Sequence, residues 1–489
     1  MIGGSQVVTV LASLAKMKVA AVVLGPAGVG LVGLFMNLIS TAASIAALGT
    51  ATTGVRQVVT STADTRGELA VATTRRALFL GSTVLAITGA GLFWACRSWI
   101  ARIFLSDESL ADDVGWLSIG VALTVLASAQ VALLTGLRRV GDLAQINIAA
   151  GIVGGLVSVL ALYLWPAQGV VVLAVVAPAF SFIFGRLLII RLGKPAGSRP
   201  PLSELIGEWV AMIRPGFAFM LSGLIAIVGQ LIVRTLVQAE LGPDALGQFQ
   251  AAWAISVTYL GFVLGAMTTD YLPRLTAVVE NRTAAVKLIN EQTEVALLLC
   301  APFVVGMLAF APWLIHLLYS AEFGPAVEIL RWQLLGDIFK VIVWPIGFVQ
   351  QAKGAGRSFL LTEMFGAVLL CLGVFIGLPH IGIAATGVAF LFVYIAYLPL
   401  MWWLGRIWVG FSWTRPVALQ AVGILLCAVI VDVACRRSDA LGAIIGGLLA
   451  VTLAAWALIR LSSLSGIGGR LGRIAAVARK IIRLCVRFR

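Results

Sequence analysis

Fourteen apolar runs, each long enough to cross a bilayer as a helix, constrain this chain more than any other feature. They fall at about 6–24, 31–53, 77–96, 114–135, 146–165, 169–189, 215–239, 246–269, 295–318, 330–350, 359–378, 382–404, 416–434 and 440–460. A run of roughly 20 residues, rising about 1.5 Å each, spans the hydrocarbon core. Composition agrees: 61% of the 489 residues are hydrophobic and only 11% are charged, more apolar surface than a water-soluble chain of this length can bury. In lipid every backbone N–H and C=O must be bonded within the protein, so the expectation is an all-α polytopic membrane protein of about 14 transmembrane helices. The opening residues, "MIGGSQ", lack the basic stretch of a cleavable signal peptide. The six cysteines form no C-x-x-C pair, so neither a zinc site nor a disulfide framework is expected, and nothing calls for a cofactor.

Charge gives the orientation. With the N-terminus in the cytoplasm, 26 of the 35 Lys and Arg fall on the inner side and four, Arg97, Arg102, Arg436 and Arg437, on the outer side. The positive-inside rule therefore places both termini in the cytoplasm, and the net charge of +14 is a topology signal that does not imply nucleic acid. The sequence also repeats itself. "LGPAGVG" at 24–30 returns as "LGPDALG" at 241–247, and "GTATTGV" at 49–55 has a counterpart in "GAMTTDY" at 265–271. An even number of helices separates the copies, so the halves should be related by a pseudo-twofold axis normal to the membrane. The expected organisation is an N-lobe at 1–195 (helices 1–6), a C-lobe at 196–405 (helices 7–12), two extra helices at 406–460 and a basic amphipathic cytoplasmic tail at 461–489. The Pro- and Arg-rich stretch "RLGKPAGSRPPLSE" joins the lobes.

Several stretches resemble the translocases of lipid-linked O-antigen and enterobacterial common antigen repeat units. These form the polysaccharide branch of the superfamily that also holds the multidrug (MATE) exporters and the lipid II flippase. The matching residues are "VLGPAGVGLVGL" (23–34), "GVRQVV" (54–59), "LLTGLRRVGDLAQIN" (133–147), "NEQTE" (290–294) and "RWQLLGDIFKV" (331–341). The resemblance implies two bundles alternating access to a central cavity, with a glycan carried on undecaprenyl pyrophosphate as substrate. Membrane lipids and other polysaccharide assembly proteins are the further partners it suggests. The two extra helices resemble the lipid II flippase in number.

Five basic residues lie within the spans: Lys16, Lys18, Arg234, Arg331 and Lys340. A charge at mid-membrane costs about 2.5–3.5 kcal/mol on insertion scales, so such residues usually face a wet cavity and carry function. Lys16 and Lys18 precede Leu24 by eight and six residues, and Arg234 precedes Leu241 by seven, so both halves hold cations at one depth. Facing each other they would bind a pyrophosphate, with Arg56 at the inner end of helix two receiving the same anion first. Against this stand snorkelling lysines and the 200° or so between Lys16 and Lys18 around a helix, which keeps both from facing one cavity.

Helix ten is the most polar span, with Gln333, Asp337, Lys340 and Trp344 on one face. Asp337 is either a proton- or cation-coupling group or a simple neutraliser of Lys340. Glu291 and Glu294 are further coupling candidates or a solvated helix end. Trp253, Trp332 and Trp344 could stack on sugars or merely pack. The tail carries Ile474, Val477, Ala478, Ile481, Cys485 and Phe488 on a stripe among basic residues, which suits an anionic membrane surface. No G-x-x-x-x-G-K-[ST] motif supports ATP hydrolysis, and the membrane potential or an ion gradient is the expected drive. The leading reading is a non-enzymatic flippase. A MATE-type exporter of small cations and a membrane glycan polymerase or glycosyltransferase are the alternatives.

Overall fold

The computed structural model describes residues 2–62, 68–192 and 200–463, so the tail stripe at 474–488 lies outside the described residues. Fifteen α-helices follow one another, with no strand among the described residues: α1 Ile2–Ala46, α2 Thr50–Thr62, α3 Glu68–Ala95, α4 Arg97–Ile100, α5 Ala111–Gly136, α6 Val140–Leu164, α7 Pro166–Arg191, α8 Leu202–Val278, α9 Arg282–Ala309, α10 Ala311–Leu318, α11 Ala326–Ala352, α12 Gly356–Ile381, α13 Ala384–Val409, α14 Arg415–Arg437 and α15 Asp439–Ser463. Twelve helical spans among them are long and apolar enough to cross a membrane. Two of these, Ala12–Ala46 and Gly223–Gly265, each take in two of the expected apolar runs. The chain is an all-α, multi-span membrane protein.

The repeat explains how two runs share one helix. Inside α1 the backbone leaves helical geometry at Gly25 (φ 65°, ψ −170°), and inside α8 it does so at Gly242 (φ 81°, ψ −179°). These are equivalent positions of the two "LGP" copies. Only glycine reaches this left-handed region cheaply, and the following Pro26 and Pro243 are preorganised to restart a helix. The turns also pack reciprocally. A Cβ on Gly30 would lie 2.7 Å from the Gly247 nitrogen and 3.0 Å from the Pro243 carbonyl, and one on Gly247 would overlap the Pro26 carbonyl. Each turn thus occupies the space that the other's glycine leaves free.

Some boundaries differ from expectation. The run at 31–53 closes at Ala46, because Leu48 (φ 48°) and Gly49 (φ 74°) make a turn with positive φ. The polar sequence that follows forms the separate helix α2, which carries Arg56. The run at 295–318 divides at Phe310 between α9 and α10.

The described residues form two compact units. One holds residues up to Gln250 with Leu318–Ser320, the other Ala251–Leu317 with the described residues from Ala321 onward. In the first, Val58, Leu78, Leu133, Ile146, Ile189 and Met212 build a core from α2, α3, α5, α6, α7 and α8. In the second, Tyr271, Ile289, Val343, Val393, Tyr397 and Phe411 join α8, α9, α11, α13 and the segment after it. Outward-facing positions remain apolar: Leu156, Ile444, Leu448 and Val451 are each about two-thirds exposed, at 67, 66, 66 and 69%. Such a surface is stable against acyl chains and would aggregate in water.

Candidate functional site

Arg234 projects from the first arm of α8 and is 4% exposed. Its Nε and Nη2 donate to Gln250 Oε1 at 3.3 and 3.1 Å. Its Nη1 donates to Gln230 Oε1 at 3.2 Å and to the Gln230 carbonyl at 3.3 Å. The Phe249 ring lies 5.7 Å away. Every partner is neutral, and among the described residues Arg234 forms no ion pair. Gln250 fits because Gly33 has no side chain, since a Cβ there would overlap the Gln250 amide. Gly33 and Gln250 occupy equivalent positions in the two repeat copies, so the repeat that breaks the helices also shapes the guanidinium cradle.

The other first-unit cations are placed differently. Lys18 donates its Nζ to the Tyr319 carbonyl, on a residue 2% exposed. Lys16 is partly buried, with no ion pair among the described residues. Arg56 is exposed on α2. Lys18 and Arg234 have separate hydrogen-bond partners, the Tyr319 carbonyl for one and Gln230 and Gln250 for the other.

In the second unit, Asp337 on α11 is completely buried and accepts a hydrogen bond from Ser256 Oγ at 2.8 Å. Among the described residues its Oδ1 has no hydrogen-bond partner, nor does either amide atom of the equally buried Gln333 or the hydroxyl of Tyr259. Lys340 does not close on Asp337 as an ion pair. Its Nζ lies 5.5 Å from the Tyr394 ring and 5.7 Å from that of Phe390. Trp253 meets the same Phe390 edge to face at 5.7 Å. Thus α8, α11 and α13 assemble a buried polar cluster within an aromatic wall.

The remaining candidates have local partners. Arg331 donates to Asp439 at 2.8 Å, and Trp332 lies under the Arg436 guanidinium at 4.8 Å. Trp344 stacks on Tyr271 at 6.1 Å within the apolar core. Glu294 accepts from Arg460 at 2.6 Å, and Glu291 lies 4.0 Å from Lys287. The Arg331 and Glu294 pairs fasten opposite ends of α15 to α11 and α9. Gln230, Gln250, Ser256, Tyr259 and Tyr394 were absent from the sequence-derived candidates. Gln250 alone carried a signal, its register with Gly33.

The polysaccharide biosynthesis protein family matches residues 19–328, well over half of the chain. The chain belongs to that family. It is 28% identical over 420 residues to the lipid III flippases of Escherichia coli (strain K12) and Shigella flexneri, covering 83% of this chain and 96% of each relative. The fold is shared with the lipid II flippase MurJ in an inward closed conformation (TM-score 0.71, 12% identity, 94% of this chain and 97% of that one). It is also shared with an inward-facing MATE multidrug transporter of the MOP superfamily (TM-score 0.66, 16% identity, 84% and 95%). These relatives are flippases and transporters, not enzymes.

Proposed function

We propose that this protein is a flippase that carries an oligosaccharide repeat unit, linked to undecaprenyl pyrophosphate, from the cytoplasmic to the periplasmic leaflet of a bacterial inner membrane. The glycan is of the O-antigen or common-antigen kind, both termini are cytoplasmic, and access alternates between lobes 1–195 and 196–405. The family membership and the lipid III flippase relatives support the class of substrate. The observation that carries the reading is Arg234, a buried cation held only by neutral amides. Gln230 and Gln250 act as placeholders. A pyrophosphate that reaches the guanidinium replaces neutral acceptors with bidentate, charge-assisted bonds, which are roughly twice as strong. Lys16 adds positive charge in the same unit.

Asp337 is the coupling group on this reading. Its unpartnered Oδ1, beside the unpartnered Gln333 and Tyr259, is completed by a proton or a small cation. The test is transport of a fluorescent lipid-linked oligosaccharide in proteoliposomes. Arg234→Gln should slow flipping at least tenfold, with Arg234→Lys intermediate. A wild-type rate in Arg234→Gln would remove the guanidinium from the site.

A further inference from the structure

A hollow of about 470 Å³ lies in the first unit between α2, α5 and α7. It is walled by small side chains, Ala51 and Val55 from α2, Ser128 and Ala132 from α5, and Pro178 and Ser181 from α7. No charged residue lines it. Pro178 lies in the interior of its helix, where proline has no N–H for the usual backbone bond. The Ser128 hydroxyl is spent on its own helix, donating to the Val125 carbonyl at 2.7 Å. That wall therefore offers a smooth apolar surface with little unmet polarity.

Arg56 is not part of this lining but follows directly on Val55, the last α2 residue in it. A Cβ on Gly54 would lie 3.5 Å from the Ala132 Cβ, and one on Gly136 would meet Val58, so α2 and α5 run side by side in the same direction. Arg56 therefore lies level with the stretch of α5 just beyond Ala132, past the hollow's end. It is exposed and has no side-chain partner among the described residues. The basic-residue bias places this end toward the cytoplasm. A lipid in the inner leaflet has its head at that interface and its tail pointing toward the bilayer centre, the direction in which the hollow runs from Arg56.

We infer that this hollow and Arg56 form the loading site for a polyprenyl diphosphate: the guanidinium takes the diphosphate, and the groove takes the head-proximal isoprene units. The inference rests on the flippase reading above and adds the site at which the carrier lipid is first held. Charge selects this groove over a larger hollow in the second unit. The second unit has a hollow of about 640 Å³ beside α14 and α15, but its polar end is the Glu294–Arg460 pair. A carboxylate there neutralises the arginine and repels a diphosphate, whereas Arg56 is in no ion pair among the described residues; the nearby Glu208 is bonded to Gln57 at 2.8 Å.

The test uses the full-length wild-type protein in nanodiscs with a glycan-free polyprenyl diphosphate bearing a diazirine on its second isoprene unit, and with the matching uncharged polyprenol. Crosslinks from the diphosphate should map to Ala51–Val55, Thr124–Ala132 and Ala177–Ser181. Arg56→Gln, a surface change, should cut diphosphate crosslinking about tenfold and leave polyprenol crosslinking unchanged. Ser128→Trp, checked for an unaltered melting temperature, should remove both. Crosslinks concentrated at Leu419–Cys427 and Leu453–Arg460, or equal labelling by the two lipids, would overturn the assignment. A parallel flipping assay on the wild-type protein separates the two ideas. Flipping without crosslinks in the groove defeats the loading site, and groove crosslinks without flipping defeat the flippase reading.

Discussion

Arg234 and Asp337 are both buried charges in a membrane protein, yet they are handled in opposite ways. Arg234 has its donors met by two glutamines and a carbonyl, so it is satisfied in hydrogen bonds but uncompensated in charge. Asp337 is left with a bare oxygen. Replacing Gln250 by Leu removes the acceptor shared by Nε and Nη2. Because bonds to charged groups contribute about 1.5–3 kcal/mol, Gln250→Leu should lower stability by about that much in a thermal or denaturant melt. Asp337→Asn keeps the Ser256 contact and removes the titratable charge. It should preserve the melting temperature and substrate binding, while making flipping insensitive to an imposed ion gradient. Gradient-dependent transport in that variant would take coupling away from this carboxylate. Lys340 was readable from sequence as a neighbour of Asp337 three residues on. Its turn toward Tyr394 was not, because the rings that receive it lie on α13.

At the scale of elements, the repeat does more than duplicate helices. Gly25 and Gly242 break α1 and α8 at matching points, and the turns that result pack glycine against proline carbonyl in both directions. The contact is backbone to backbone, so no rotamer change relieves an added methyl. Gly247→Ala should therefore cost about 1–3 kcal/mol by overpacking, visible as a lower melting temperature. Gly223→Ala, where an added Cβ has open space, is the control and should be close to neutral. The breaks were legible in the "LGP" repeat, whereas their mutual packing depended on how the helices meet. The same holds for α15. Its ends are tied by Arg331–Asp439 and Glu294–Arg460, pairs separated in sequence by 108 and 166 residues. No local pattern joins residues so far apart, which is why Arg331 and Glu294 read as site candidates from sequence and prove to have partners.

For the whole molecule, the net charge of +14 and the scarcity of acid near Arg234 bear on energy supply. Moving one charge across the membrane is worth about 2.3 kcal/mol per 100 mV. On the proposed reading, a pyrophosphate carried outward would move down the potential unless its binding site fully cancels its charge, and the empty cationic site would be drawn back inward. Flipping in proteoliposomes should therefore rise severalfold with an inside-negative potential imposed by potassium and valinomycin. A rate unaffected by collapsing that potential would exclude this drive. The sequence alone determined that the chain spans a membrane as helices and where the two long helices break. These follow from local rules, because lipid forces each segment to satisfy its own backbone and Gly–Pro geometry acts within a few residues. Only the tertiary structure decided which buried charge is neutralised and which rests on amides. Partners for a desolvated charge come from segments a hundred or more residues away, and packing alone brings them within reach.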